Sequence, residues 1–269
     1  MLPLSPVLNM RSRRVAPPAL PTPTGLDFPS NDDPDGTVQF RFTSTARPTI
    51  VPLSMIWKFR PRQQTGYYTT FFHARGDGTF IGDNTYFGCH PYPKTGTSAG
   101  TTHWWEVSIE GADDVTDENA NDTTVEYDRW YSQFAVSQNV ASQGLVDFYY
   151  DLDAGTSRRI NHTMAFQQFA DATDSPCLVF GDAPWSINNE RLSGVLRSLV
   201  IVQGGLTTTQ ATAIHALTSD AAVVSYCAAN GITPWYVNIN PTPDDISDKS
   251  GAGNSPAWIN ANRPTLWTG

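Results

Sequence analysis

The run Trp130-Tyr-Ser-Gln-Phe-Ala-Val136 is followed by Leu145-Val-Asp-Phe-Tyr-Tyr-Asp-Leu-Asp153 and Leu178-Val-Phe-Gly-Asp182. Leu192-Ser-Gly-Val-Leu-Arg-Ser-Leu-Val-Ile-Val202 and Leu206-Thr-Thr-Thr-Gln210 come next. Short apolar and aromatic runs recur, and Gly, Asp and Ser turn signals separate them. That rhythm predicts an all-β, antiparallel sandwich or barrel. Two strands show period-two alternation. In Leu145–Leu152, Val146, Phe148, Tyr150 and Leu152 share a face; in 103–110, Trp105, Val107 and Ile109 oppose Trp104, Glu106, Ser108 and Glu110. Val195–Val202 is apolar on both faces apart from Arg197 and Ser198, which predicts a strand in mid-sheet, covered on both sides.

Outward from this stretch, strands are expected at 38–43, 53–59, 67–73, 85–89, 127–137, 157–166 and 177–181. A capping box, Thr207 with Gln210 three residues on, predicts a helix start. A second short helix is expected from Asp220 to Ala229, ended by Asn230-Gly231. The chain thus divides into an extended, Pro-rich, basic arm (1–36), a sandwich (37–218) and a C-terminal helix and tail (219–269). Trp235, Trp258 and Trp267 imply that this tail packs back onto the body.

With 269 residues the chain can bury one large core or two modest ones, and a single sandwich is expected. The net charge of −9 offers nothing to a phosphate backbone, so nucleic acid is not an expected partner. Charge is unevenly spread. The arm carries Arg11, Arg13 and Arg14 among Pro3, Pro6, Pro17, Pro18, Pro21 and Pro23, which deny it helix and ladder. It reads either as a disordered tail or as an arm that orders on a neighbouring subunit. Residues 110–128 hold eight acids and no base. Three cysteines (Cys89, Cys177, Cys227) form no disulfide framework, and the five histidines lack zinc spacing. No stretch approaches the ~18–20 apolar residues of a membrane span. The arginines follow the apolar start instead of preceding it, so a secretory signal is not expected.

The order of motifs resembles the laminin-G-like, concanavalin A-like jelly rolls. The carrying residues are Met55-Ile-Trp57-Lys-Phe59 with Tyr67–Phe72; Trp130–Val136 with Val146–Leu152; Leu178–Asp182; and Leu192–Val202 with Leu206. Asp153-Ala-Gly155 stands where the family has a tight Asp-Gly turn. The likeness covers roughly residues 37–218 and implies a two-sheet jelly-roll sandwich with one or two short C-terminal helices. The tail 240–258 also resembles tails on such domains in bacteriophage proteins. That resemblance implies a non-enzymatic structural or decoration component of a virion, on the head surface or in the tail. The arm residues Arg11, Arg13, Arg14, Pro17 and Pro18 would attach it to other virion proteins or to its own copies.

Two constellations are candidates for chemistry. Glu106-Val-Ser-Ile-Glu110 resembles the Glu-x-Asp-x-Glu of laminarinase-type glycoside hydrolases, but Ser108 replaces the Asp that tunes the pair, and no catalytic residue is assigned. Trp104 beside these carboxylates could stack on a sugar ring, so Trp104, Glu106, Glu110 and Trp185 are the candidate carbohydrate-binding residues, with a cell-surface glycan as partner. The alternative is a tryptophan covered by a loop or a neighbour. Asp113, Asp114, Asp117 and Glu118 supply hard oxygens suited to Ca2+, the one cofactor the sequence admits, or they form a solvated charge run. Asp147, Asp151 and Asp153 form a weaker set. Arg75-Gly76-Asp77 reads as a hairpin turn before it reads as an adhesion motif.

Overall fold

Along the chain the strands are β1 (Thr24–Phe28), β2 (Phe40–Phe42), β3 (Leu53–Pro61), β4 (Phe72–Arg75), β5 (Tyr86–Pro93), β6 (His103–Ile109), β7 (Thr124–Val125), β8 (Tyr131–Val140), β9 (Gln143–Asp151), β10 (Thr156–His162), β11 (Leu178–Phe180) and β12 (Gly194–Gln203). Then come helices α1 (Thr208–His215) and α2 (Asp220–Ala229), and strands β13 (Thr233–Ile239), β14 (Ala257–Trp258) and β15 (Thr265–Thr268). The computed structural model describes residues 23–29, 38, 40–42, 53–62, 72–75, 86–93, 103–109, 124–125, 129–140, 143–151, 156–162, 178–181, 192–258 and 261–269. In β4–β7, β9, β10 and most of β8 the description is of the backbone.

The described strands pair antiparallel throughout and form two sheets. The first has the order β10-β9-β8-β3-β12-β1-β15, with β13 also on β12; the second has the order β14-β2-β11-β4-β5-β6-β7. The expected all-β jelly-roll sandwich is therefore the fold, with two short helices near the C-terminal end.

β12 organises the first sheet. One of its edges pairs with β3 along its whole length; the other is shared end to end by β1 and β13. Every residue of β12 but Arg197 and Gln203 is buried, as the two-sided apolar pattern required. Leu196 lies between Leu26 and Phe59, and Ile201 between Met55 and Tyr236, on one face. That face meets Phe40, Phe42, Leu178 and Phe180 of the second sheet, and Phe42 touches Tyr236 edge to face at 5.0 Å. Burial of such side chains contributes about 1.5–3 kcal/mol each, so this interlayer core is the main stabilising term.

The opposite, outer face of the first sheet is divided. At one end Ile56, Val200, Val202 and Val237 are covered by Leu206, Ala211, Ile214, Val223 and Cys227 of the helical segment. Thr207 and Gln210 close the expected capping box, with Gln210 N–H donating to Thr207 Oγ1 (3.2 Å) and Thr207 N–H to Gln210 Oε1 (2.9 Å). Beyond α2 the chain turns at Gly231, whose φ of 65° suits a residue without Cβ. Burial raises the pKa of the Cys227 thiol, which keeps it protonated and unreactive. Cys89 and Cys177 are outside the described side chains.

Two boundaries differ from the sequence reading. Residues 24–28, expected in the arm, form an interior strand between β12 and β15. Pro23 and Pro29 flank the segment, yet Leu26 and Phe28 are 1% and 0% exposed, and their burial outweighs the Pro-rich context. The tail after residue 232, expected as a loose segment packed on the body, instead supplies strands to both sheets: β13 and β15 to the first, β14 to the second.

Candidate functional site

At the end of the outer face away from the helices, charged and aromatic side chains replace the apolar ones. Period two puts Lys58 and Arg60 on the same face of β3 as Ile56, and Arg62 follows just past the strand. Arg60 pairs with Val195, and Val195 with Asp27. The β3–β12 register slips between Leu196 and Ser198, so that Arg197 and Ser198 together oppose Lys58. This is a β-bulge, and it aims Arg197 outward while Leu196 stays in the core.

Two tryptophans from distant parts of the sheet close over this area. Trp130 immediately precedes β8, and Trp267 on β15 pairs with Gly25 of β1. Their rings meet edge to face at 5.2 Å, spanning β3, β12 and β1. The Arg197 guanidinium lies 6.0 Å from the centre of the Trp130 ring, within cation–π range. Burial lowers the Arg197 pKa without making it neutral. Gly25 allows the close approach. A Cβ there would stand 2.9 Å from the Leu196 carbonyl oxygen and 3.3 Å from Arg197 Cα.

Beside Trp267 lies a depression of about 130 Å³ lined by Arg60, Arg62, Gly194, Val195 and Trp267. Gly194 sits at φ +139°, and a Cβ on it would overlap the Arg60 carbonyl oxygen and stand 2.9 Å from the Phe59 ring. Only glycine fits. Arg62 is held from below. Its Nη1 donates to the Phe28 carbonyl at 3.0 Å, and its Nη2 to Asp27 Oδ1 at 2.5 Å. Its backbone N–H donates to the Ser193 carbonyl at 3.1 Å. The guanidinium is thus oriented before any ligand arrives, which lowers the entropy lost on binding. A planar donor fork beside an indole can hold a sugar ring: apolar C–H faces pack on the aromatic plane, and hydroxyl or carboxylate oxygens accept from the arginines.

The sequence-derived sites fall elsewhere. Trp104 and Glu106 are on β6, paired with Tyr92 and His90 of β5 in the second sheet, where the backbone is described. Glu110, Trp185, the acids Asp113, Asp114, Asp117 and Glu118, and the arm residues Arg11, Arg13, Arg14, Pro17 and Pro18 lie outside the described residues. Among the described residues no group of three His, Cys, Asp or Glu comes together to hold a metal. No helix among them is long and apolar enough to cross a membrane. The outer-face site escaped the sequence reading. The alternation Lys58, Arg60, Arg62 was its one local signal; Trp267 enters through pairing with β1.

No protein-family model and no curated protein matches the chain. Solved structures do. A native heptameric SAP-like pentraxin from Limulus polyphemus overlaps 72% of this chain and 82% of its own at 17% identity and TM-score 0.50. A putative carbohydrate binding protein from Bacteroides ovatus overlaps 93% of this chain at 10% identity and TM-score 0.56; the chain spans 60% of that protein. Tailspike protein 2 of the Escherichia coli O157:H7 bacteriophage CAB120 overlaps 81% of this chain and 28% of its own at 11% identity and TM-score 0.42. At such identities the first two likenesses establish the lectin-like jelly-roll fold and nothing finer.

Proposed function

We propose that this chain is a carbohydrate-binding module that carries out no turnover, and that its sugar site is the depression beside Trp267. The observation behind this is the juxtaposition of a half-exposed indole with the anchored Arg62 guanidinium, on a sheet end left bare by the helices. Lectin-like jelly rolls are fitting scaffolds because a rigid sheet holds such groups in place, although fold alone does not dictate function. The test is a glycan array followed by calorimetry with the wild type, Trp267→Ala and Trp104→Ala. Loss of binding in Trp267→Ala alone supports the assignment. Loss in Trp104→Ala alone would move the glycan site to β6 and remove it from the outer face. No binding to any glycan by the wild type would end the reading.

Placement in a bacteriophage particle is a second proposal. It rests on the Pro-rich, arginine-bearing segment before β1 and on the likeness of the 240–258 tail to phage proteins. The attaching segment would be residues 1–22, since residues 24–28 are occupied within the sheet. Particles assembled with a chain lacking residues 1–22 should lose it; normal occupancy would refute the attachment.

A further inference from the structure

Asn230-Gly231 is the one Asn-Gly pair in the sequence. It stands where α2 ends and the chain turns towards β13, and Ala228, Ala229, Asn230 and Gly231 are all exposed. An asparagine ahead of glycine is open to attack by its own main chain, because glycine brings no Cβ to shield its nitrogen. The Gly231 N–H donates to the Ala228 carbonyl at a long 3.5 Å. Asn230 itself is held by its cap. Its Nδ2 donates to the Tyr226 carbonyl at 2.8 Å, and its backbone N–H is shared between the Tyr226 (3.1 Å) and Cys227 (3.2 Å) carbonyls. Ring closure requires the Asn230 Cβ and the Gly231 nitrogen to eclipse about the Cα–C bond, and the observed ψ of 10° keeps them well apart in torsion. The cap therefore holds the reactive groups away from each other. Opening of the last helical turn, which costs far less than global unfolding, releases them.

We propose that Asn230 is a site of spontaneous deamidation, gated by the last turn of α2. When that turn opens, the Gly231 nitrogen attacks Asn230 Cγ. The new N–Cγ bond closes a succinimide, the Cγ–Nδ2 bond breaks, and the side-chain nitrogen leaves as ammonia with the proton from Gly231. Water then opens the ring. Attack at Cγ restores the ordinary peptide bond beside an aspartate, and attack at the main-chain carbonyl leaves an isoaspartate linked through its side chain. Both products undo the cap. Neither can donate to the Tyr226 carbonyl, and each sets a negative charge on a helix end whose carbonyls already carry partial negative charge. Isoaspartate also lengthens the main chain inside the turn that holds the Ile232 N–H to the Cys227 carbonyl at 2.9 Å. Ile232 packs against the cluster in which Val223 and Cys227 cover Val237, so conversion loosens the helical cover of the outer face.

The test is peptide mapping by mass spectrometry of the full chain held at mildly alkaline pH, folded and in urea. In the folded protein, aspartate and isoaspartate should accumulate at residue 230 several-fold faster than at Asn238, Asn254 and Asn262, which precede Ile239, Ser255 and Arg263. Conversion at residue 230 no faster than at those three would overturn the assignment. In urea the rate at residue 230 should rise several-fold further, because the cap is gone; equal rates in the two conditions would overturn the gate. Gly231→Ala is compared in urea, where its strain at φ 65° has no bearing, and should convert several-fold more slowly than the wild type. An undiminished rate there would refute attack by the residue 231 nitrogen. Asn230→Asp reproduces one product, and its melting midpoint should fall by a few degrees. An unchanged midpoint would remove the effect on the helical cover.

Discussion

Trp130 and Trp267 touch edge to face at 5.2 Å although three strands separate the places where they enter the first sheet. The contact fixes Trp267 beside the depression and roofs Arg197. Removing the Trp130 ring takes away an aromatic pair worth about 0.5–1.5 kcal/mol and a cation–π contact of similar size. Trp130→Ala should therefore lower unfolding stability by about 1–3 kcal/mol in urea titrations. It should also weaken glycan binding, because Trp267 loses its lateral support. Unchanged affinity in a folded Trp130→Ala would show that Trp267 is held by β15 alone.

Two glycines with positive φ make a controlled pair. Gly194 (φ +139°) has no room for a Cβ, whereas Gly204 (φ +101°) has nothing within 4 Å of where one would stand. Gly204→Ala should cost about 1–3 kcal/mol of backbone strain alone. Gly194→Ala adds a clash with main-chain atoms of β3 and should cost distinctly more, with unfolding at ambient temperature an expected outcome. Denaturant midpoints measure both. Equal effects would mean that β3 yields at Arg60.

The loop after β13 has an acid-sensitive joint. Asp245 Oδ2 accepts from Lys249 Nζ at 2.6 Å, and Oδ1 accepts from Ser247 Oγ at 2.6 Å. These bonds, the one from lysine foremost, depress the Asp245 pKa to about 2. A carboxyl depressed in the folded state contributes stability above its unfolded value near 4, and loses it as pH falls through about 2. Asp220 acts with the opposite sign. Burial raises its pKa despite the bond it accepts from Ile239 N–H, so its ionised form costs stability at neutral pH, and that cost is relieved as pH falls through the raised folded value towards the unfolded one near 4. The acid loss from Asp245 is small because the group is half-exposed and screened by solvent. Asp245→Asn should flatten the stability profile between pH ~4 and ~2. An Asn variant with the same acid slope as the wild type would remove the role assigned to Asp245.

Truncation separates the arm from the sheet. Deleting residues 1–22 removes none of the described strands, so the melting midpoint should stay within a few degrees. Deleting residues 1–30 removes β1, with Leu26, Phe28 and the Asp27 anchor of Arg62. Two buried side chains alone represent about 3–6 kcal/mol, a large share of a typical domain's stability. The longer deletion should therefore fail to fold, and circular dichroism on melting tells the two apart.

Sequence revealed most where local pattern and tertiary burial agree. The two-sided apolar run of β12 announced its central place, and Thr207 with Gln210 announced α1 before any packing was known. It revealed least where a partner strand does the work. β1 offers only Leu26 and Phe28 between two prolines. β13 carries Pro234 beside a register slip at Trp235, and β14 is two residues long. None of these would be strands alone; each is held by the ladder of a longer neighbour. The site shares that character. Lys58, Arg60 and Arg62 alternate visibly, but Gly25 opposite Trp267 joins residues from far ends of the sequence, and no local rule foretells it.

Seated between β12 and β15, β1 also imposes an order on biosynthesis. Of the described strands it is the first to leave the ribosome, yet one of its edges must wait for residues 265–268 and the other for 194–196. Until then Leu26 and Phe28 have nowhere to hide, so the nascent chain depends on chaperones or on speed. A message truncated before codon 265 would yield a protein with a bare β1 edge, a form that cellular proteolysis can recognise and remove.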